Sequence, residues 1–463
     1  MIQPTRVLNL NLHPIARNGK YLLYWMQASQ RTRFNHALEY AIEKANQLKL
    51  PLVVGFGLMD DYPEANERHY AFMLQGLCDV YHALQERQIK MVVLHGNPAD
   101  AAIELAAAAA MVVCDRGYLR HQKQWRQKVA AALSISLVQV ESEVIVPVEV
   151  TSDKREFAAR TIRPKLHRQW AQYFTPIDER KVDTSSLHLT SKSKSSPSRR
   201  LEMLDVTNPK SLLEKLKLDR SVSASNYFVG GQNMAKKMLA NFIEQKLDNY
   251  KVGRNEPADG HTSMLSAYLH FGQISPLEMA LTVSRCSDVP QLDRDTFIEE
   301  LAVRRELSHN YVNFTADYDQ YDQLPAWALR TLAEHETDER PILYGRKELE
   351  QGKTIDPYWN AAQTEMVKTG FMHNYMRMYW GKKILEWSKT PKEAFESMLY
   401  LNNKYQLDGR DVASFANIGW ILGLHDRPWG PPRKIFGLIR YMNLAGLERK
   451  FDMAAYVEKV KQY

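Results

Sequence analysis

Cysteine is scarce in this chain, with three residues among 463, and no two of them form a Cys-x-x-Cys pair. Cys78, Cys114 and Cys286 are far apart, which predicts reduced, partly buried thiols and neither a structural disulfide nor a zinc site. The first twenty residues also lack the apolar centre of a signal peptide, and no apolar run approaches about 18 residues. We therefore expect a cytoplasmic protein without membrane contact, nucleoid-associated if the host is bacterial.

A complete dinucleotide fingerprint is also missing. The stretch GFGLMD at 55–60 offers a Gly-x-Gly after an apolar run, but the third glycine, which close helix packing requires, is absent. This excludes a nicotinamide-binding turn at that place. No metal-ligating motif takes its place, so we expect no metal.

Aromatic side chains, in contrast, are abundant: the chain has 9 Trp, 23 Tyr and 15 Phe. Many of them lie after Tyr227. The formal net charge of +7 permits a nucleic-acid partner but does not demonstrate one. Because 463 residues exceed one ordinary core, two or three domains are expected.

Residues 1–150 alternate between short apolar runs and helical periodicity. Strands are predicted at 21–25, 52–56, 91–95, 111–115 and 136–140, and helices at 31–49, 67–87, 99–110 and 122–133. This alternation predicts an α/β domain with a doubly wound, Rossmann-like parallel sheet. Ligands of such sheets bind beyond the carboxyl ends of the strands, so the loops after Trp25, Phe56, His95 and Asp115 should surround any pocket.

The rest of the chain has a different pattern. Residues 151–230 are predicted to be an interdomain linker, because the stretch at 184–200 is rich in Ser, Lys and Arg and cannot bury enough apolar surface to fold alone. From 231 to 463 helical periodicity dominates, which predicts an all-α domain. Its helices are expected at 232–249, 276–287, 295–313, 361–387, 391–404 and 414–422.

Two tryptophans stand seven residues apart in MHNYMRMYWGKKILEW, at 372–387. Seven residues are two helical turns, so Trp380 and Trp387 share one face about 10 Å apart along the axis. Such stripes ordinarily pack into a core. The alternative is that these oxidisable rings carry electrons, and a two-turn gap would then need a third ring between them.

Polar groups gather in RNEPADGHTSMLSAYLHFGQISP, at 254–276. Thr262, Ser263 and Ser266 could offer hydroxyls and backbone N–H groups to an anion at a helix start, although such residues are usually caps. The strings LSAYLHFGQIS, YWNAAQTEMVKTGFMHNYMRMYWGKKILEW and LDGRD resemble the cryptochrome/photolyase family. The resemblance is closest to its class II cyclobutane pyrimidine dimer photolyases. It covers nearly the whole chain, with the N-terminal half similar to the family's antenna domain and the helical half similar to its FAD domain.

The resemblance implies a bent FAD, reduced in the active form. Its implied contacts are Tyr250, Thr262, Ser263, Met264, Leu265, Ser266, Asp408, Gly409 and Arg410. Asn402 matches an asparagine placed against flavin N5, where a neutral amide tolerates the reduced ring. Arg377 and Asp408 match an ion pair beside the isoalloxazine, and an ordinary buried salt bridge is the alternative. An antenna chromophore, 8-hydroxy-5-deazaflavin by family, could occupy the N-terminal pocket.

The same resemblance implies an electron path through Trp380, Trp359 and Trp387, with Trp359 as the middle step. Its implied lesion contacts are Arg254, Asn255, Glu300, Met378 and Trp420. Glu300 would hydrogen-bond the edge of the flipped dimer and stabilise its radical anion. Arg304 stands where some relatives carry a tryptophan. Trp429 and Arg440, with Arg433, Lys434, Arg449 and Lys450, would contact phosphates or fill the gap left by the flipped bases, unless they form only a solvated basic surface.

Together these features predict a light-driven DNA repair enzyme acting on double-stranded DNA that contains a pyrimidine dimer. A monomer would suffice. A signalling photoreceptor with the same fold is the first alternative, and a DNA-binding flavoprotein without photochemistry is the second.

Overall fold

The computed structural model describes residues 2–189 and 201–463. Most of the Ser, Lys and Arg-rich stretch at 184–200 lies outside the described residues. Within the described part, no helix combines the length and apolar content needed to cross a bilayer. The same part of the chain has no cluster of three or more His, Cys, Asp or Glu side chains arranged to hold a metal ion.

A seven-stranded sheet organises the N-terminal half. Its strands are β1 (Val7–Asn9), β2 (Tyr21–Trp25), β3 (Leu52–Leu58), β4 (Lys90–His95), β5 (Ala109–Asp115), β6 (Ser136–Val140) and β7 (Met203–Leu204). They lie in the order β1-β6-β5-β2-β3-β4-β7. The five central strands are parallel, and β1 and β7 are antiparallel edges. The predicted parallel sheet is confirmed, and the two short edge strands were not predicted.

Helices cover both faces of this sheet. They are α1 (His36–Leu48), α2 (Glu67–Glu86), α3 (Pro98–Ala106) and α4 (Arg120–Ala132). Side chains of a strand alternate between faces. Leu22 and Tyr24 of β2 accordingly join the core under α1 and α2, whereas Leu23 and Trp25 join the core under α3 and α4. The carboxyl ends of the parallel strands therefore share one edge, as the sequence predicts.

The predicted linker at 151–230 contains regular structure. After α5 (Val148–Thr151) come α6 (Ala159–Tyr173), β7 and α7 (Pro209–Lys215). Ile162, Leu166 and Tyr173 of α6 are buried in a core shared with the helical half. The segment predicted as an interdomain linker therefore contains a helix packed against the helical half and a short strand that extends the sheet, which were not predicted. The domain boundaries at 150 and 230 stay predictions.

Helices build the C-terminal half. They are α8 (Gln232–Gln245), α9 (Tyr250–Gly253), α10 (Ser266–His270), α11 (Pro276–Ser284), α12 (Gln291–Ile298), α13 (Arg305–Phe314), α14 (Ala326–Glu334), α15 (Arg346–Glu350), α16 (Pro357–Thr369), α17 (Asn374–Trp387), α18 (Pro391–Tyr405), α19 (Val412–Ile421), α20 (Leu444–Glu448) and α21 (Met453–Lys461). A π-helix, Glu299–Arg304, joins α12 to α13. The helix predicted at 295–313 is thus continuous but locally widened, a distortion that often marks functional sites.

The single helix predicted at 361–387 is two helices. Gly370 ends α16 in the left-handed conformation, with φ of 85°. The side chain of His373 then caps α17 by accepting the N–H of Tyr375 at 3.3 Å. Because the break turns the chain, α16 and α17 pack side by side, and the tryptophans they carry can meet.

Replacing Gly370 with Ala is expected to lower the free energy of unfolding by about 1–2 kcal/mol or more. The left-handed conformation costs an L-residue roughly that amount, and an added Cβ would lie 2.9 Å from Cγ of Leu407. Gly345→Ala is the matched control, since its φ is −73° and its Cβ would meet only Glu348 at 3.5 Å. Denaturant unfolding of both variants checks this, and equal midpoints would contradict it.

Candidate functional site

Three buried indoles lie in one cluster between α16 and α17. The rings of Trp359 and Trp380 are parallel, with an interplanar angle of 5° and centroids 6.4 Å apart. Trp359 also meets Trp387 edge-on, at 5.5 Å and 71°. Trp359 therefore bridges the two-turn gap of α17. All three are at most 3% exposed, so the geometry suits both a core and an electron path.

Hydrogen bonds fix the orientation of two of these rings. Nε1 of Trp359 donates to the carbonyl oxygen of Trp380 at 2.9 Å. Nε1 of Trp380 donates to Oε1 of Gln363, also at 2.9 Å. At the other end, Tyr344 packs edge-on against Trp387 at 5.2 Å, and the Lys383 ammonium lies 4.7 Å from the centre of that indole ring.

An ion pair lies one helical turn before Trp380. Nη2 of Arg377 donates to Oδ2 of Asp408 at 2.9 Å, and Nε of Arg377 donates to the carbonyl of Met372. Oδ1 of Asp408 is buried and has no hydrogen-bond partner in the structure. A buried acceptor without a partner is costly, so this atom indicates a bound donor. The structure thus brings together Arg377 and Asp408 as the sequence predicts.

Asn402 lies on α18 and is 3% exposed. Its amide nitrogen donates to Oδ1 of Asn403 at 3.1 Å and to the hydroxyl of Ser414. With the nitrogen held on one side, the amide oxygen is the end available to a ligand. The neighbouring amide of Asn403 is in turn bonded to Glu64 at 2.7 Å.

The start of α2 clamps this part of the helical half. Arg68 donates to the carbonyls of Met366, Val367 and Tyr405, at 3.2, 2.6 and 2.9 Å. Asn66 and His69, its neighbours, bond the carbonyls of Lys404 and Gln406. The α/β half therefore fixes the loop that leads to Asp408.

Tyr250 and residues 262–266 form a second wall. Tyr250 is buried against Phe242 and Phe297, and burial raises its pKa to about 12, so its hydroxyl stays a donor at neutral pH. The helix predicted to start near Ser266 is α10, which has only five residues. It offers free N–H groups but a weak dipole. Thr262, Ser263, Met264 and Ser266 are half-buried, and Leu265 is buried.

The π-helix presents Glu300 beside the polar loop that precedes α10. Nη1 of Arg254 lies 2.8 Å from Oε1 of Glu300. Burial alone would lower the pKa of Arg254, but the Glu300 carboxylate and Tyr250 outweigh it and raise the pKa. Both side chains remain partly open to solvent, as do Asn255 and Met378. These groups can therefore meet a ligand that enters from outside.

Arg304 follows Glu300 by one helical turn. Its guanidinium lies 5.4 Å from the ring centre of Trp420, a cation–π contact, and its Nε is 3.4 Å from Glu299. Trp420 is half-buried. The guanidinium plane thus supplies a flat surface beside Trp420.

A second aromatic surface lies at Trp429, which is 38% exposed. Arg427 and Arg440 lie over its ring at 5.0 and 5.1 Å, and its Nε1 donates to Asp426. Arg433 packs over Tyr441, and Lys434 faces Glu339, so these two cations are less free. Arg449 and Lys450 follow α20 and are exposed.

A cavity of about 960 Å³, partly open to solvent, lies where the parallel strands end. Gln27, Met59 and Gly117 line it from the loops after β2, β3 and β5, and Gly57 lines it from β3 itself. Arg410, Asp411 and His270 close it from the helical half. Of the residues predicted to bind flavin, only Arg410 lines this cavity. Asp408 itself does not line it.

Comparison with known proteins assigns the family. Residues 22–182 match the family model described as DNA photolyase. The deoxyribodipyrimidine photo-lyase of Methanothermobacter thermautotrophicus is 47% identical over 461 residues, covering 100% of this chain and 99% of that protein. The chain belongs to the DNA photolyase family. The Arabidopsis thaliana deoxyribodipyrimidine photo-lyase is 36% identical, covering 99% of this chain and 93% of its own length.

A solved structure agrees on the fold. The class III photolyase of Agrobacterium tumefaciens has a TM-score of 0.73 at 18% identity, covering 96% of this chain and 86% of its own. The DNA photolyase family implies FAD, and the residues fit it. Oδ1 of Asp408 and Oε1 of Gln406 are buried acceptors without partners, as a cradle for a polar ligand requires. When bound, FAD would be held by Tyr250, residues 262–266, Arg377, Asn402 and Asp408.

Sequence reasoning missed several residues of this photolyase site. Gln363 holds Trp380, and its place one turn after Trp359 on the same helix face was a signal that could have found it. Tyr344 and Arg68 had no such signal, because their contacts are distant in sequence. Lys382 is also unexpected: it is 1% exposed, bonds the carbonyl of Ile421, and burial lowers its pKa to about 7.

Proposed function

We propose that this chain is a light-driven DNA repair enzyme, a deoxyribodipyrimidine photo-lyase that splits cyclobutane pyrimidine dimers. The observation that carries the proposal is similarity over the full chain to proteins of that name, at 47% identity in one case. The motifs resembling class II enzymes support that subtype. Reduced FAD supplies light absorption and the transferred electron, so the protein's own tasks are binding, orientation and exclusion of water.

On the cofactor side, each proposed group has a distinct task. The Arg377 guanidinium, which Asp408 anchors at 2.9 Å, would place positive charge beside the flavin ring. The amide oxygen of Asn402 would accept a hydrogen bond from the reduced flavin, and a fixed neutral amide does so without adding charge. Tyr250 and residues 262–266 would hold the phosphates and sugar.

On the lesion side, Glu300 and Arg254 form one polar edge. Their 2.8 Å contact orients both before substrate arrives. Glu300 would hold the dimer edge by a hydrogen bond, and the Arg254 cation offsets the negative charge that the dimer gains. A nonplanar lesion would pack against the flexible apolar side chain of Met378 and against two flat groups, the Trp420 ring and the Arg304 guanidinium.

A stacked lesion cannot reach this edge, so the dinucleotide must leave the duplex, as in other base-flipping enzymes including photolyases. Trp429, with Arg427 and Arg440 over its ring, would fill the space that the flipped bases leave in the duplex. Its ring would stack on the neighbouring bases while the two cations attract phosphates. All these groups lie on one chain, so a monomer suffices. DNA as the substrate fits the cytoplasmic location expected from the sequence.

The cavity at the strand ends is proposed to hold an antenna chromophore, with 8-hydroxy-5-deazaflavin as the candidate. Its walls carry aromatic side chains, among them Phe56, Tyr62, Tyr118 and Trp125. Planar conjugated rings pack well against such walls. Absorbed energy could pass from there to the flavin without a chemical step.

Light-dependent loss of dimers from an irradiated oligonucleotide tests the proposed function. The reduced protein should remove dimers in blue or near-ultraviolet light and none in the dark. A signalling photoreceptor would reduce its flavin in light and leave the dimers intact. A DNA-binding flavoprotein without photochemistry would bind damaged and undamaged duplex equally at matched salt.

Replacing Glu300 with Ala is expected to lower the repair yield per absorbed photon several-fold, while raising the dissociation constant for damaged DNA by about threefold or less. The reason is that the duplex is held mainly through phosphates, whereas Glu300 meets the dimer itself. Single-turnover repair and DNA titration separate the two effects. Asp295→Ala is the control, since Asp295 is an exposed carboxylate on α12, the helix that precedes the π-helix. An unchanged yield would remove the proposed role.

A further inference from the structure

Lys382 is a buried cation that the proposed repair chemistry does not use. It lies on α17, one helical turn after Met378, and is 1% exposed. Within the described residues it forms no ion pair, and its ammonium donates to the backbone carbonyl of Ile421. A buried charge is expensive unless other groups offset the lost solvation. A lysine at this position therefore calls for a specific role.

The contact with Ile421 closes the end of α19. The last carbonyls of a helix have no partner within the helix. Those of Gly419 and Trp420 accept backbone N–H groups from the turn that follows, whereas that of Ile421 meets Lys382. Gly381 allows the two helices to approach, because a Cβ there would lie 2.5 Å from Cδ1 of Ile421. Lys382 thus ties α17 to the end of the helix that carries Trp420, and a positive charge is favourable there.

Burial has the largest influence on the charge of Lys382 and lowers its pKa to about 7, so the amine and the ammonium are both populated at neutral pH. Asp426 raises that pKa and Arg440 lowers it further, and both lie in the loop after α19. The helices packed against α17 add no other charge: α19 has no ionisable side chain, and none of α16 or α18 shifts this pKa. On α17 itself, Lys383 and Glu386 pair with each other at 2.6 Å.

The two side chains that act on Lys382 also hold Trp429. Asp426 accepts the indole N–H of Trp429 at 3.1 Å, and the Arg440 guanidinium lies 5.1 Å from its ring centre. Arg427, Trp429 and Arg440 form the Trp429 surface, which is the proposed contact with the duplex. A phosphate beside Arg440 would offset its positive charge and so weaken its repulsion of Lys382. Occupation of this surface by DNA would therefore favour the charged form of the buried lysine.

We infer that Lys382 is a positioning residue that takes up a proton from solvent when damaged DNA occupies the Trp429 surface, and that the charged form fixes the end of α19. This coupling rests on the proposed repair function and adds proton uptake to DNA binding. The proton adds to the Nζ amine, and no bond to DNA forms. A charged donor makes a stronger hydrogen bond to the carbonyl of Ile421. Trp420, the preceding residue, is then held in place on the lesion side.

Damaged DNA should bind more weakly as the pH rises above neutrality. In the free protein the pKa of Lys382 is about 7, and binding raises it. Affinity is therefore full below that value, falls as the pH rises through it, and becomes constant above the pKa of the complex. We expect a loss of about three- to tenfold between about pH 6 and pH 8.5, where tenfold corresponds to a pKa rise of about one on binding.

Titration of the FAD-loaded protein with a dimer-containing duplex, in the dark and at fixed salt over a series of pH values, tests the inference. The wild type should show the loss of affinity above neutral pH. Lys382→Met should remove most of this dependence, because methionine is uncharged at every pH. Asp426→Asn keeps Lys382 and should move the midpoint of the loss to lower pH, since a charge that favours the ammonium is gone. Lys389→Met, an exposed lysine after α17, should behave as wild type.

FAD content and melting temperature are read for each variant. A uniformly weaker affinity of Lys382→Met with the wild-type pH dependence would show a structural role alone and overturn the inference. An unchanged midpoint in Asp426→Asn would overturn it as well, and this comparison holds even where Lys382→Met does not fold. If the wild type repairs dimers and both variants keep its pH dependence, only this inference falls. If it neither repairs dimers nor prefers damaged duplex, the repair function falls too.

Discussion

Trp380→Phe is expected to stop the light-driven reduction of oxidised FAD and to leave repair by chemically reduced protein close to the wild-type level. Phenylalanine fills most of the indole volume but is much harder to oxidise, so it interrupts a path that starts at Trp380 and continues to Trp359, 6.4 Å away. We expect the photoreduction rate to fall about a hundredfold, which corresponds to about 2.7 kcal/mol in the barrier. Flavin absorbance under blue light with an external reductant measures it.

Two further variants separate an electron path from core packing. Trp359→Phe and Trp387→Phe should also slow photoreduction, because each interrupts the same sequence of rings. Trp170→Phe is the matched control: this indole stacks on Phe174, in α6 and outside the cluster. Should photoreduction and repair fall together in the Trp380 variant, the rings would serve only packing. Should neither change, the electron would take another path.

The α/β half was readable from the sequence because buried parallel strands leave a simple pattern. The runs at 21–25 and 136–140 are short and largely apolar, and the structure has β2 and β6 at those bounds. The edge strands β1 and β7 have only three and two residues. They carry too little pattern to be recognised, since each is defined by its partner strand.

Two local errors have physical causes. Pro164 lies inside α6, where proline ordinarily breaks a helix. Ile162 and Leu166 nevertheless bury there, so tertiary packing outweighs the lost hydrogen bond. In the 361–387 segment, apolar periodicity continues through Gly370 and predicted one helix. The helix nevertheless ends there, because Gly370 takes the left-handed conformation that terminates α16.

The site, too, was only partly predictable from the sequence. The motifs predicted that Arg377 and Asp408 lie together and that the three tryptophans lie close to one another, and the structure has them so. Contacts between the two halves of the protein could not be predicted, since residues such as Arg68 and Tyr405 are 337 positions apart in the sequence. Arg410 is the clearest case: it lines the cavity at the strand ends, which its motif did not predict, and its contact with the flavin stays a prediction. A motif fixes the backbone position but not the direction of the side chain.

Arg377→Met should sharply reduce the amount of FAD retained through purification. Methionine keeps much of the volume but removes the cation, leaving Asp408 with neither oxygen paired in a site where both side chains are mostly buried. Breaking one partner of a buried pair costs about 3–5 kcal/mol, whereas removing both costs less. FAD affinity should therefore fall at least about a hundredfold, equal to about 2.7 kcal/mol.

The double variant Arg377→Met with Asp408→Asn makes that prediction specific. If the loss comes from an unpaired carboxylate, neutralising Asp408 should restore part of the FAD affinity, and the two changes will be non-additive. If the loss comes from the missing cation beside the flavin ring, the double variant will be as poor as the single one or worse. Flavin titration of refolded or freshly loaded protein, with the melting temperature of each apoprotein, distinguishes these causes. Retention of full affinity by Arg377→Met would contradict the placement of the flavin beside this ion pair.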